Sequence, residues 1–342
     1  SRGMATTVIS GINIALWDIK GKALGRPVYD LLGGPVRDSV PTYANGWFTG
    51  CQTPEDSARA AKQSIAKGYT ALKMDPFLEM RPFHTAYMSG NISALGEQLG
   101  IDITAAVREA VGPAYPVCFR IAGHDYMEGG NTNREWALFA AELEKHGVDL
   151  INVTGGWHET RVPQLPMSVP RGGLSYLAAR VKEKVTVPVI ACNRINDVFV
   201  ADEILRMGMA DLVGMARALI ADPYFPQKAM EERYEEIAHC IGGNQGCFDH
   251  VFYLQPVTCT LNPRAGRELE YRVERARKPK KVAVVGGGPA GMKAALTAAE
   301  RGHLVTLFEK GEMLGGQLNL AAVPPGREEF WTAVEDLEAQ LD

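Results

Sequence analysis

Cys240, Cys247 and Cys259 fit a cluster-ligand pattern, C-x2-C-x3-C-x11-C, with one departure: Gly243 stands where the second cysteine belongs. Thiolates are soft, strongly donating ligands that suit iron, and the spacing brings distant cysteines to one loop-bound site. Gly243 offers no side chain, so a four-iron cluster here needs an outside atom at its open iron. Asp249, His239 and His250 are the nearby candidates. A three-iron cluster, or three reduced cysteines with no cluster, are the other readings. Cys51, Cys118 and Cys192 lie outside the pattern and read as small apolar residues.

A second chemistry follows downstream. Residues 281–285 read as a strand, Gly286-Gly-Gly288-Pro-Ala-Gly291 as a tight turn, and 292–301 as a helix. Gly286 permits the turn, Gly288 lets backbone approach a pyrophosphate, and Gly291 lets the helix pack on the strand with its N-terminus toward the phosphates. Glu309 ends the next strand, 304–308, where a carboxylate can bond ribose hydroxyls. Strand, turn, helix, strand and terminal acid in order point to a dinucleotide site.

The elements that must position these groups alternate as in an α/β protein. Thr53-Pro54 starts a helix that Gly68 closes, and 69–74 reads as a buried strand. A helix over about 103–111 is stopped by Gly112-Pro113. Strands are expected at 117–121, 149–153, 187–191 and 212–215, and Thr132 with Glu135 forms a capping box for a helix running to His146. Repeated strand–helix units suggest a (β/α) barrel with its chemistry on the loops after the strands. Arg120, His158, Arg194 and Arg217 fall at those places. The last two loops of such a barrel commonly hold a phosphate, which Arg194 and Arg217 would supply; His158, beside Trp157 in a Gly-rich turn, could donate a hydrogen bond or shuttle a proton to a bound ring. Plain surface arginines and a structural histidine are the alternatives.

Composition bounds the rest. The 342 residues are 46% hydrophobic and 22% charged with a net charge of -4, as expected of a soluble chain with two or more domains. No apolar run approaches the roughly 18 residues a membrane span needs, and the N-terminus has no signal-peptide layout, so a cytoplasmic location without membrane attachment is expected. Six cysteines are too sparse for a disulfide scaffold. The slight acidity argues against a nucleic-acid partner.

From about Val107 onward the chain resembles the NADH:flavin oxidoreductase branch of the old yellow enzyme family, in particular its 2,4-dienoyl-CoA reductase and 2-enoate reductase group. The matching runs are 119–130, 152–159, 192–196, 213–217 and 240–267. The resemblance implies an FMN barrel in which Arg120 contacts the flavin ring, Arg194 and Arg217 the FMN phosphate, and His158 helps protonate the substrate. It implies FAD at Gly286, Gly288, Gly291 and Glu309, with Gly315-Gly316 as a second contact loop, and a 4Fe-4S cluster of which Cys240, Cys247 and Cys259 would be three ligands. Electrons would come from NAD(P)H and end on an enoate or enoyl-CoA.

The N-terminal run 9–34 is similar instead to the linker helix of the enolase superfamily, near its sugar-acid dehydratases. Residues 41–43 and 69–75 would be that family's first two barrel strands, with Lys73 at the end of the second. A lysine there can remove a proton beside a carboxylate while Mg2+ holds the enediolate. The acidic metal ligands and the later histidine base of that family find no match in this chain, so Lys73 reads as a vestige.

The expected fold is therefore α/β: a hybrid, incomplete (β/α) barrel followed by the start of a Rossmann-like FAD-binding domain. The divisions are 1–107 (enolase-like), 108–232 (FMN half-barrel), 233–277 (cluster segment) and 278–342 (FAD domain). Two strands plus four fall short of eight, which leaves sheet edges open unless two chains complete each other as a homo-oligomer. The other functional readings are a Mg2+-dependent sugar-acid dehydratase and a non-catalytic chimeric remnant.

Overall fold

A computed structural model describes residues 20, 22–26, 43–73, 93–156, 160, 162–253 and 255–341. The fold is mixed α/β with parallel sheets, and it divides into two compact units: Pro41–Met215, and Ala216–Asp342 together with Ser1–Val40.

In the first unit, helix α1 (Pro54–Ala66) begins as its sequence dictates. The Thr53 side chain caps it by accepting from the Asp56 N–H, Pro54 occupies the first turn, and Gly68 takes the left-handed conformation at φ +93° just past its end. Helix α2 (Ser93–Val111) starts some ten residues before the expected position. Gly96 and Gly100 sit inside it, at about 1 kcal/mol each relative to alanine. Arg108 anchors the end of α2, donating to the Gly112 and Tyr115 carbonyls at 2.8 and 2.7 Å and pairing with Asp149.

Strands β1 (Cys118–Ile121), β2 (Leu150–Val153), β3 (Val189–Ala191) and β4 (Leu212–Val213) form one parallel sheet in sequence order. Helices α3 (Asn133–Lys145), α4 (Ser175–Lys182) and α5 (Val198–Arg206) are the crossovers. The capping box at Thr132 and Glu135 is formed. Alternation decides what each strand buries. Ile121, Ile151, Val153, Val189 and Ala191 pack under Leu143, Leu177, Val181 and Ile204 from the helices. Each fully buried aliphatic side chain stabilises this layer by about 1.5–3 kcal/mol. The opposite face, which a closed barrel would turn inward, carries the in-register row Arg120, Asn152, Ile190 and Leu212, with Arg120 and Leu212 exposed.

Of the two head strands, 69–73 forms no ladder among the described residues, and 41–42 lies outside them. Ala44 and Leu72 make a single parallel bridge, and Tyr69, Thr70 and Ala71 are exposed. One bridge supplies no ladder and no covered face, so the buried strand expected at 69–74 is corrected, over the described residues 69–73, to a segment exposed except at half-buried Leu72. Pro41 and most of the enolase-like run 9–34 lie outside the described residues.

In the second unit, short helices α6 (Arg217–Ala221), α7 (Phe225–Met230) and α8 (Phe248–Phe252) precede a βαβ unit of β5 (Lys281–Val285), α9 (Pro289–Glu300) and β6 (Leu304–Phe308). Helices α10 (Gln317–Ala321) and α11 (Glu329–Ala339) follow. Met292, Val334 and Leu337 form the small core under α9. The other face of β5 and β6 is open, with Val285, Leu304 and Phe308 exposed. The Asp336 carboxylate on α11 accepts the His239 N–H at 2.7 Å and faces His239 Nδ1 at 2.9 Å, which ties the cysteine segment to this helix.

Candidate functional site

Arg120 projects from the uncovered face of β1, and its register partner Asn152 stands beside it on β2. Asn152 Nδ2 donates to Cys192 Sγ at 3.3 Å, and a Cβ on Gly214 would come within 2.6 Å of that sulfur, so glycine at 214 makes room for the thiol. Burial pushes the Cys192 thiol up. Cys118 departs from its reading as a small apolar residue: it is exposed on the same face, because β1 is an edge strand with nothing packed over it. Cys51 is buried as expected. The exposed Arg120 guanidinium and the half-buried Asn152 carboxamide form a donor-bearing edge suited to the carbonyl and nitrogen edge of a flavin ring.

After β3 the chain turns through two left-handed residues, Asn193 at φ +74° and Arg194 at φ +55°. The turn is held from several sides. Asn193 Oδ1 accepts from Thr154 Oγ1 at 2.7 Å and from the Gly155 N–H at 3.2 Å, while Arg194 is only 3% exposed and its Nε donates to the Val169 carbonyl at 2.8 Å. Arg217, in the second unit, begins α6 and donates to Asn244 Oδ1 at 2.7 Å. His158 lies outside the described residues. Asn152 and Asn193 lie in the matching runs 152–159 and 192–196, where no role is read for either by itself, and Cys192 reads in the sequence only as a small apolar residue; the signal for Asn193 is an Asn in a sharp turn directly after an apolar strand.

Around Asn244, at φ +68°, the cysteine segment folds into a compact turn. The Thr258 N–H donates to the Gly246 carbonyl at 2.6 Å, which sets Cys247 and Cys259 on neighbouring backbone. A side chain at Gly246 would strike the Thr258 backbone at 2.9 Å. Cys240 senses the other two sulfurs and Arg217; burial dominates and pushes its thiol up. Gly243 differs from its glycine neighbours. A Cβ there would meet only the Gln245 side-chain amide, at 2.6 Å, which can swing away. Among the described residues no group of three His, Cys, Asp or Glu side chains is placed to hold a metal ion. The residues present therefore do not make up a four-thiolate cluster site.

The glycine turn after β5 is fully formed. Gly286 adopts φ +105° and its N–H donates to the Phe308 carbonyl at 2.7 Å. A Cβ on Gly291 would lie 1.8 Å from the Gly286 carbonyl oxygen, so α9 can cross the turn only with glycine there. Gly288, the N-cap of α9, has open space where a side chain would be and no side-chain cap over the helix N-terminus. That combination of free space and unfilled amides fits a pyrophosphate. Glu309 accepts from the Gly287 N–H at 2.6 Å and the Gly311 N–H at 2.9 Å, and these two backbone donors, Gly311 first, hold its carboxyl below the usual range. Gly315, at φ +99°, donates to the Gly287 carbonyl at 2.8 Å, and Gly316 lies against Gly288. The second loop thus closes over the first.

Residues 99–236, which carry the four-stranded sheet, match the NADH:flavin oxidoreductase / NADH oxidase family. Over that stretch the chain is similar to the family. Residues 281–339 match the FAD dependent oxidoreductases, and residues 3–33 the N-terminal domain of mandelate racemase / muconate lactonizing enzymes, so the hybrid character read from the sequence stands. A metal reductase of Desulforamulus reducens is 54% identical over 231 residues, covering 68% of this chain and 35% of that protein. A D-gluconate dehydratase of Thermoproteus tenax is 45% identical over 108 residues, covering 32% of this chain and 20% of that protein. Among solved structures, a 2-naphthoyl-CoA reductase in complex with 2-naphthoyl-CoA superposes with a TM-score of 0.74 at 31% identity, over 84% of this chain and 46% of the other. The chain thus spans about a third of the flavin-type curated relative and under half of the solved one. None of the described helices is long and apolar enough to cross a membrane.

Proposed function

We propose that the chain is part of an FMN- and FAD-dependent oxidoreductase that uses NAD(P)H to reduce an activated carbon–carbon double bond of an enoate or enoyl-CoA. The observation that carries this reading is the uncovered, donor-bearing face of β1–β4. The reading is supported by Arg120 and its register partner Asn152 on that face, in the stretch similar to the flavin family, on a chain that also holds an open glycine turn. Flavins supply hydride transfer. The protein's own part is to bind and orient. Arg120 would hold the electron-rich edge of the ring, buried Arg194 and helix-initiating Arg217 are assigned to the FMN phosphate, and His158 to the proton given to substrate. The Gly286–Gly291 turn would hold the pyrophosphate of FAD, with Gly315 and Gly316 closing over it and Glu309 turned to the ribose. Cys240, Cys247 and Cys259 are read as a cluster ligand set one member short.

The test uses the whole chain, purified anaerobically and titrated separately with FMN and FAD, then supplied with NADH or NADPH and an enoate or its CoA ester. Flavin bands that shift on binding, followed by nicotinamide oxidation dependent on the unsaturated acid, are expected. A protein that retains neither flavin overturns the reading. Mg2+-dependent dehydration of a sugar acid by a colourless chain would favour the dehydratase instead.

A further inference from the structure

The loop after β1 is more tightly built than a connection between strand and helix requires. Asp125, 3% exposed, accepts the Asn131 N–H at 2.7 Å and Trp136 Nε1–H at 2.9 Å, and its own N–H donates to the Asn131 carbonyl at 2.9 Å. Gly130 packs so closely on this carboxylate that a Cβ would fall 2.7 Å from Asp125 Cβ. Pinned this way, the next residue, Tyr126, is forced to φ +54°, a conformation costly for an aromatic side chain. Such strain persists only where its surroundings over-determine it, and it gathers at ligand sites.

What the strain achieves is an arrangement of donors. The Tyr126 N–H donates to His124 Nδ1 at 2.8 Å. Nδ1 is therefore the acceptor, and the ring carries its proton on Nε2, which has no hydrogen-bond partner among the described residues. The His124 and Tyr126 rings stack at 4.3 Å and 11°. Tyr126 Oη lies 2.5 Å from Tyr176 Oη, at the start of α4, and Tyr176 is 47% exposed. Two phenols that share one hydrogen bond use one proton between them and keep the other for an outside acceptor. Burial, reinforced by Tyr176, pushes the Tyr126 phenol up, which keeps its proton in place. Gly156, in the loop after β2, leaves room for the Tyr126 ring, since a Cβ there would lie 2.8 Å from it. All three side chains follow the C-terminal ends of β1 and β2, the face on which barrels of this kind bind ligands.

We propose that His124, Tyr126 and Tyr176 form a recognition site for the acceptor oxygen of the substrate, the carboxylate or thioester carbonyl conjugated to its double bond. This rests on the flavin-reductase reading above and deepens it. Neither Nε2–H nor the spare phenol proton is needed to hold the fold, and both are donors, so a cation or an apolar group would not be selected. The site sets specificity; it moves no electrons.

The test measures binding to the whole chain by calorimetry, using cinnamate, cinnamoyl-CoA and cinnamyl alcohol, which lacks the conjugated oxygen. Tyr176→Phe and His124→Phe, which keep the ring packing, are expected to weaken cinnamate or the thioester about fivefold to tenfold and to leave the alcohol within about twofold. His124→Gln, whose amide can donate in place of Nε2–H, should recover part of the loss. The tighter of the two acyl ligands identifies the source of the oxygen. Unchanged acyl affinity in both Phe variants, with melting curves like the parent's, overturns the proposal. So does a parent chain that binds FMN but none of the three ligands, whereas failure of the separate FMN titration removes the reading beneath it.

Discussion

The glycine turn at 286–291 and the cysteine segment at 240–259 both read as ligand sites in the sequence, yet only the turn has its full local geometry. The turn is made of backbone. Its donors are amides, present at every residue but proline, and local contacts hold them: Gly286 to Phe308, Gly315 to Gly287, Gly291 against the Gly286 carbonyl. The cysteine segment depends on side chains at separate positions: Gly243 brings none, and among the described residues the three cysteines are not grouped to hold a metal ion, while the surrounding backbone, with Gly246 on Thr258 and Arg217 on Asn244, folds regardless. A backbone site fails when something is added; a side-chain site fails when something is taken away.

Substitutions can press on each half of that contrast. The largest effect is expected at Gly291→Val, where the new side chain would overlap the Gly286 carbonyl; FAD binding followed by fluorescence should be abolished, with about 3 kcal/mol lost in denaturant melts. Gly243→Cys adds what the other site lacks. Its Cβ meets only the mobile end of Gln245, so after anaerobic reconstitution iron and sulfide should rise well above the parent toward about four irons per chain. Equal loading of parent and variant would remove position 243 from the account. Glu309→Gln loses the charge and keeps only one oxygen, so it can accept from only one of the Gly287 and Gly311 amides, which bond different carboxylate oxygens; it should weaken FAD about threefold to tenfold.

The pH dependence at Glu309 follows from the direction of its shift. A carboxyl held low when folded contributes stability that is present above the ordinary carboxylate range and is lost as pH falls through that range and below it. The local structure of the 309–316 loop, followed by hydrogen exchange, should therefore loosen on acidification in the parent and not in Glu309→Gln. The smallest effect belongs to a control far from both sites. Thr132→Ala removes the capping box of α3 and should cost about 1 kcal/mol without altering flavin affinity.

Much of this arrangement was legible in the sequence. The bounds of β5 and β6, the capped starts of α1 and α3, and the order of the four parallel strands all come from short-range signals: period-two alternation, glycine after a strand, and Thr before a helix. What escaped depends on neighbours that no local pattern names. The segment at 69–73 has strand composition and no partner ladder, so it stays exposed. Cys118 looks apolar by type, yet an edge strand leaves it in solvent. His124 and Tyr126 are ordinary letters until Asp125 and Gly130 pin the loop and Tyr176 arrives from a helix fifty residues away.

Glu309 already bonds the amides of Gly287 and Gly311 before any dinucleotide arrives. A carboxylate so occupied acts as a placeholder. Loading the site then exchanges one set of hydrogen bonds for another instead of ordering a loose loop, so the entropy of organising the turn is charged to folding, and association should be governed by how quickly Glu309 lets go.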